Sequence, residues 1–129
     1  MGLQARSARS VWVNEPLDRP AVNGASYGDC DQLVAAMARR DEGALSRLYE
    51  QTIARVFGLA RTITGSADDA EEVACDVYAM AWERADQFDR DRGAAIGWLL
   101  VMCRSRALDL LRRRRTRHEV VDDVVQEQP

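Results

Sequence analysis

The sequence predicts an all-α fold, a compact bundle of about four helices with flexible N- and C-terminal tails. Three observations predict it. Apolar residues recur at helical spacing in four successive segments. Serine, aspartate and glycine stand where helices start and stop. No stretch of useful length alternates apolar and polar residues as a strand does. The chain has 129 residues, 47% of them hydrophobic, which suits one domain with one core.

Met1 to about Gly28 mixes Arg, Ser, Asn and Gly without periodicity and contains Pro16 and Pro20. It reads as a mobile extension, and Trp12 within it as a stray aromatic. Asp29 to Arg40 follows as a short helix, with Leu33, Ala36, Met37 and Arg40 at helical spacing. Asp41 is placed to cap the next helix, with Ala44 at its third position. That helix runs to about Thr64. Leu45, Leu48, Tyr49, Ile53, Val56, Phe57, Ala60 and Ile63 give it a strongly amphipathic pattern, and Gly65 ends it.

Ser66 starts a third helix. Asp68 and Asp69 lie in its first turn, where the helix dipole favours acids. It continues to about Ala85 with a core stripe of Ala70, Val73, Ala74, Val77, Tyr78 and Ala81. On its other side Glu72, Asp76, Ala79 and Glu83 line up. Like charges at i, i+4 mildly destabilise an isolated helix, so the row is either a solvated face or the docking side for a basic partner. A loop from Asp86 to Gly93 follows, rich in Asp and Arg. Gly93 permits a tight turn out of it. Phe88 to Gly93 is expected to be the mobile segment between two firm helices.

The fourth helix covers Ala95 to Arg113. Wound at about 100° per residue, it puts Ile96, Leu99, Leu100, Cys103, Ala107, Leu110 and Leu111 on one broad core face. Trp98, Val101, Ser105, Asp109 and Arg112 fall on the opposite face. Two readings of that face stand. Either Trp98 packs on a neighbouring helix and the arginines form a solvated helix end suited to the dipole, or the face meets nucleic acid. In the second reading the indole is largely exposed and stacks on an unpaired base while the arginines hold phosphates.

Charge sharpens the second reading. The whole chain carries only −3. Ser66 to Asp91 holds nine acids against two arginines, a net −7. Arg104 to Arg117 holds seven arginines against Asp109 alone, a net +6. Such separation points to two surfaces with different partners. All 18 basic residues are arginine, which a GC-rich genome alone would produce, although arginine does suit planar stacking and forked phosphate contacts. From His118 on the tail is acidic, and Val120, Val121, Val124 and Val125 are too interrupted by acids to make a strand.

Other classes are disfavoured. Cys30, Cys75 and Cys103 are scattered and read as reduced thiols of a cytoplasmic protein. One histidine, His118, leaves no zinc set, and no cofactor motif is present. There is no glycine-rich phosphate loop and no nucleophile beside a base, so no catalytic residues are expected. No apolar run reaches the length of a membrane span and no signal-peptide core is seen. The expectation is a soluble, cytoplasmic, non-enzymatic protein.

The ordered residues Ala70-Glu71-Glu72-Val73, Asp76-Val77-Tyr78 and Ala81-Trp82 resemble the acidic helix of bacterial sigma factors. Phe88-Asp89, Gly93, Trp98-Leu99-Leu100 and Cys103 to Arg113 continue the match in order. Together they resemble conserved region two of the extracytoplasmic-function sigma factors, over about Asp31 to Arg117. The resemblance implies that the third helix docks on the clamp helices of the β′ subunit of RNA polymerase core. Glu72, Asp76 and Glu83 would make that contact, with Asp69 and Glu71 beside them. It also implies that the loop and fourth helix engage the promoter minus-ten element and capture a base flipped from the non-template strand. Phe88, Asp89, Arg90 and Arg92 would then lie near that base, and Trp98 at the edge of melted DNA. Ser105, Asp109, Arg112 and Arg113 would follow the strand.

Departures from the family pattern bear on this. Ser105 stands where asparagine is common, and Cys75 where glutamine is common, so promoter preference and fine clamp contacts can differ. The family continues through an acidic linker into a second helical domain. This chain stops within what resembles that linker's start, residues 118–129, so a truncated form is expected in preference to a stand-alone region-two protein. An anti-sigma factor is a further partner the family admits, although no residue points to one. The alternatives are a generic single-stranded nucleic-acid-binding module, which has no use for the acidic row, and a protein-interaction adaptor, which has none for the arginines.

Overall fold

The computed structural model describes residues 27–127. The N-terminal extension up to residue 26, with Trp12, lies outside the described residues, as do the last two residues and the side chains of His118, Glu119 and 121–127. Four α-helices follow in order: α1 (Cys30–Ala38), α2 (Glu42–Thr64), α3 (Ala67–Glu83) and α4 (Ala95–Glu127). Two single 3-10 turns, Ala85–Gln87 and Arg90–Arg92, join α3 to α4.

The helix ends follow from local chemistry. The Asp41 carboxylate accepts from the Ala44 N–H at 3.3 Å and so satisfies one orphan donor of α2. Gly65 takes the left-handed conformation, φ +74°, and closes α2 through its N–H to the Arg61 carbonyl. Ser66 then caps α3 by accepting from the Asp69 N–H at 3.2 Å. The abrupt Gly65–Ser66 reversal folds α3 back along α2. Between α1 and α2 the turn residue is Arg40, which holds φ +67° despite its side chain. Arg40 Nη1 donates to the Trp82 carbonyl at 2.7 Å, and its guanidinium lies 5.0 Å over the Trp82 ring. That cation–π contact ties the turn to the end of α3.

All four helices share one core. The six core positions expected on α3 are buried. On α2, Ala44, Leu48, Thr52, Ile53, Val56 and Ala60 are buried, whereas Tyr49 stays 44% exposed. Thr52 is the one polar residue sealed among the described core residues. Its hydroxyl donates to the Leu48 carbonyl at 2.7 Å, so the Tyr78 hydroxyl, 2.6 Å away, donates to Thr52. The Thr52–Tyr78 pair pins α2 to α3 with no buried polar atom wasted. Cys103 on α4 donates to the Val56 carbonyl at 3.3 Å and pins α4 to α2.

Two expectations shift. On α1 the buried side chains are Cys30, Val34 and Met37, not Leu33 and Ala36. On α4 they are Ala95, Leu99, Met102, Cys103, Ala107 and Leu110, with Ile96, Leu100 and Leu111 only half-buried. The broad apolar face of α4 is thus rotated toward Met102, because α2 and α3 cover that edge. The helix also continues past Arg113 to Glu127. No glycine or proline interrupts it between Trp98 and Gln128, so nothing in the backbone chemistry stops it where the core stripe ends.

Candidate functional site

The acidic residues of α3 divide by helical angle. Glu72, Asp76 and Glu83 run along one outward row, with Asp69 at its inner edge and Glu71 on the opposite flank next to Cys75. Glu71, Glu72, Cys75 and Glu83 are exposed, and Asp69 and Asp76 are half-buried. The row has a neighbour of opposite charge. Arg114 Nη2 of α4 donates to Asp69 Oδ1 at 2.7 Å and sits 3.9 Å from Glu72 Oε1. Arg114 lies four residues after Leu110 and seven after Ala107, so it continues the buried stripe of α4 past the end of the core. There it meets the first turn of α3. The pairing runs α4 antiparallel to α3 and leaves Asp76 and Glu83 in no ion pair among those seen.

At the other end of α4 an open cleft of about 690 Å³ lies between the loop and the helix. Phe88, Asp89, Arg92, Gly93, Trp98 and Val101 line it. The Trp98 ring packs on Phe88, with centroids 5.2 Å apart and planes at 47°. Trp98 is therefore half-buried rather than largely exposed, packed against Phe88 of the loop and against the edge of the core. Val101 beside it is 68% exposed. The loop is built from the two 3-10 turns. Asp89 accepts from the Asp91 N–H at 3.0 Å and pairs with Arg92 at 3.7 Å. Gly93 then takes φ +143°, a region that favours glycine. Arg90 turns away from the cleft toward Asp31 of α1, Nε to Oδ2 3.8 Å.

Beyond Trp98 the same face of α4 carries exposed Ser105, then Asp109 and Arg112. Asp109 pairs with Arg112 at 3.7 Å and with Arg113 at 3.4 Å. These pairs are surface-exposed and weak, so they orient the two guanidiniums without committing them. Trp98 to Arg112 spans fourteen residues, about 21 Å along the helix.

Sequence reasoning missed Asp31 and Arg114. Asp31 gives no signal of its own, since its contacts, Ala95 and Arg90, lie far along the chain, Ala95 64 residues away. Arg114 was legible as part of a basic run, and extending the helical wheel of α4 beyond Leu111 singles it out. Among the described residues no helix is long and apolar enough to cross a membrane.

Residues 48–117 match the sigma-70 region 2 family model. Among curated relatives, the chain is 34% identical over 84 residues to the ECF RNA polymerase sigma factor SigK of Mycobacterium tuberculosis (strain ATCC 25618 / H37Rv), covering 65% of this chain and 45% of the relative. It is 37% identical over 84 residues to the ECF RNA polymerase sigma factor SigK of Mycolicibacterium vanbaalenii, covering 65% of this chain and 43% of the relative. The chain thus spans less than half the length of the curated relatives it matches. A family match over more than half of the chain, set on an all-helical fold with an acidic third helix and an arginine-rich fourth, places it in the sigma-70 region 2 family, which is non-enzymatic.

Proposed function

We propose that this domain acts in transcription initiation: it binds the β′ clamp helices of RNA polymerase through α3 and captures a base of the promoter minus-ten element in the cleft between loop and α4. The observation that carries the reading is the cleft itself. It is large enough for a base, walled by the Phe88–Trp98 aromatic pair, edged by Arg92, and opens onto the face that leads to Ser105, Arg112 and Arg113. A base leaving its stack loses a few kcal/mol, which aromatic stacking and a fitted pocket recover. The phosphates that follow it would meet Arg112 and Arg113 along the helix.

The acidic side of the reading rests on Glu72, Asp76 and Glu83, exposed or half-exposed on the outward row of α3, with Asp69 and Glu71 flanking them. A basic helix laid along this row would relieve the i, i+4 repulsion between Glu72 and Asp76. Region two so placed holds the polymerase on one side and the non-template strand on the other. The test uses the full 129-residue chain against an immobilised β′ clamp-helix fragment and a labelled single-stranded minus-ten oligonucleotide. Retention on the fragment that disappears at high salt, together with base-dependent binding of the oligonucleotide, supports the proposal. Nucleic-acid binding without clamp retention would favour a generic single-strand binder. Clamp retention without DNA binding would favour an adaptor.

A further inference from the structure

The N-terminus of α4 has no capping side chain of its own. Ala94 accepts the first intrahelical bond, from the Trp98 N–H at 3.1 Å, and alanine is among the poorest residues at that position. The missing acceptor comes from the other end of the fold. Asp31 Oδ1 on α1 accepts from the Ala95 N–H at 2.7 Å. A carboxylate here satisfies an orphan donor and also meets the positive end of the α4 dipole. Its second oxygen, Oδ2, lies 3.8 Å from Arg90 Nε in the second 3-10 turn. The Asp31 side chain is 20% exposed and lies outside the cleft.

These two contacts end on the two walls of one cleft. Ala95 begins the helix that carries Gly97, Trp98 and Val101. Arg90 sits between Asp89 and Arg92 in the loop that supplies the other wall. Within the turn Arg92 donates its N–H to the Asp89 carbonyl and Gly93 to that of Arg90, so a shift of Arg90 carries Asp89 and Arg92 with it. We propose that Asp31 is a positioning residue that sets the spacing of the loop against α4, and through it the base preference of the cleft. This rests on reading the cleft as the base pocket. Asp31 touches no lining residue of the cleft except through Arg90 and Ala95, so its effect falls on selectivity and not on phosphate affinity.

Three variants separate the two contacts. Asp31→Ala removes both. Asp31→Asn keeps an oxygen for the Ala95 N–H and loses the charge facing Arg90, and Arg90→Ala removes only the loop contact. Two readouts are taken on the full chain: the indole N–H shift of Trp98 in the free protein, and the affinity ratio between the preferred base and the other three at the captured position. Asp31→Ala is expected to move the Trp98 indole signal and to reduce the affinity ratio about tenfold, the scale of one hydrogen bond to a charged group. Asp31→Asn and Arg90→Ala are expected to show the same smaller effect, with no addition when combined. Clamp-helix retention and the salt dependence of oligonucleotide binding are expected to stay unchanged. An unmoved Trp98 indole in folded Asp31→Asn and Arg90→Ala overturns the positioning role. Base discrimination in Asp31→Ala equal to that of the wild type does the same. A wild type without base discrimination would instead remove the base-pocket reading, and the indole shift alone would then decide whether Asp31 positions the loop.

Discussion

The indole of Trp98 has Phe88 against it and the open cleft beside it, so its truncation has both a folding and a binding consequence. A fully buried aromatic loses about 3–5 kcal/mol on truncation to alanine. Half-buried Trp98 is expected to lose about 1–2 kcal/mol, from its ring contact with Phe88 and its partial packing on the core. Binding to single-stranded minus-ten DNA is expected to weaken separately by about 1–3 kcal/mol. Urea unfolding of Trp98→Ala beside a DNA titration checks both, and unaltered DNA affinity would remove the stacking role. Helical angle alone places this ring off the core stripe. That it folds down onto Phe88 depends on a loop whose shape no periodicity encodes. The buried polar residues have a different consequence. Burial pushes the Cys30 and Cys103 thiols up to about 11 from an ordinary 9.0. Burial raises the Tyr78 hydroxyl as well, although its bond with Thr52 partly offsets this. The unfolded chain therefore loses these protons first as pH rises. Their stabilisation is whole below pH 9 and fades as pH climbs toward 11. Denaturation midpoints across that window are expected to fall, and to fall less steeply in Cys103→Ala.

The helices and their caps were the most legible elements. Asp41, Gly65 and Ser66 act as their residue types dictate, because capping depends on neighbours three or four residues away. The core stripe of α3 was equally readable, since that helix lies between α2 and α4 and has only one outward arc. The buried face of α1 was not. In nine residues several faces are apolar enough, and the packing of α2 selects Cys30, Val34 and Met37. The acidic row of α3 was legible as a row, while its closure at one end by Arg114 was not. Two variants probe this element. Asp76→Arg reverses charge where no ion pair is seen, and is expected to abolish retention on the clamp-helix fragment with helicity kept. A matched loss of helicity would show Asp76 to be structural. Arg114→Ala is expected to cost under about 1 kcal/mol of stability, because the guanidinium is 45% exposed. By releasing Asp69 and Glu72 it is expected to strengthen clamp-helix retention. Weaker retention at unchanged stability would mean that Arg114 itself faces the partner.

Across the whole molecule the charge separation along the chain becomes a separation in space. The acidic row of α3 and the Trp98–Arg112 face of α4 point in different directions, and among the described residues the two charge groups meet where Arg114 reaches Asp69 and Glu72. Replacing Arg112 or Arg113 is expected to weaken binding to all single strands alike. The salt slope should flatten by about 0.7 for each phosphate that no arginine neutralises any longer. A change confined to one sequence would count against a phosphate role. The bundle, its helix order and both charged surfaces could be read from periodicity and composition. The cleft could not, because its shape depends on how two 3-10 turns fold Phe88 onto Trp98 and on contacts from Asp31 of α1 that are distant in sequence. That distance governs the order of events during folding. The bond from Asp31 to Ala95 closes a 64-residue separation, so its loop-closure cost leads us to expect that it forms late in folding. The first turn of α4 is therefore expected to be among the last parts to become fixed. In stopped-flow measurements Asp31→Ala is expected to speed unfolding and leave the refolding rate nearly unchanged. A slowed refolding limb would instead place the junction of first and last helix in the folding nucleus.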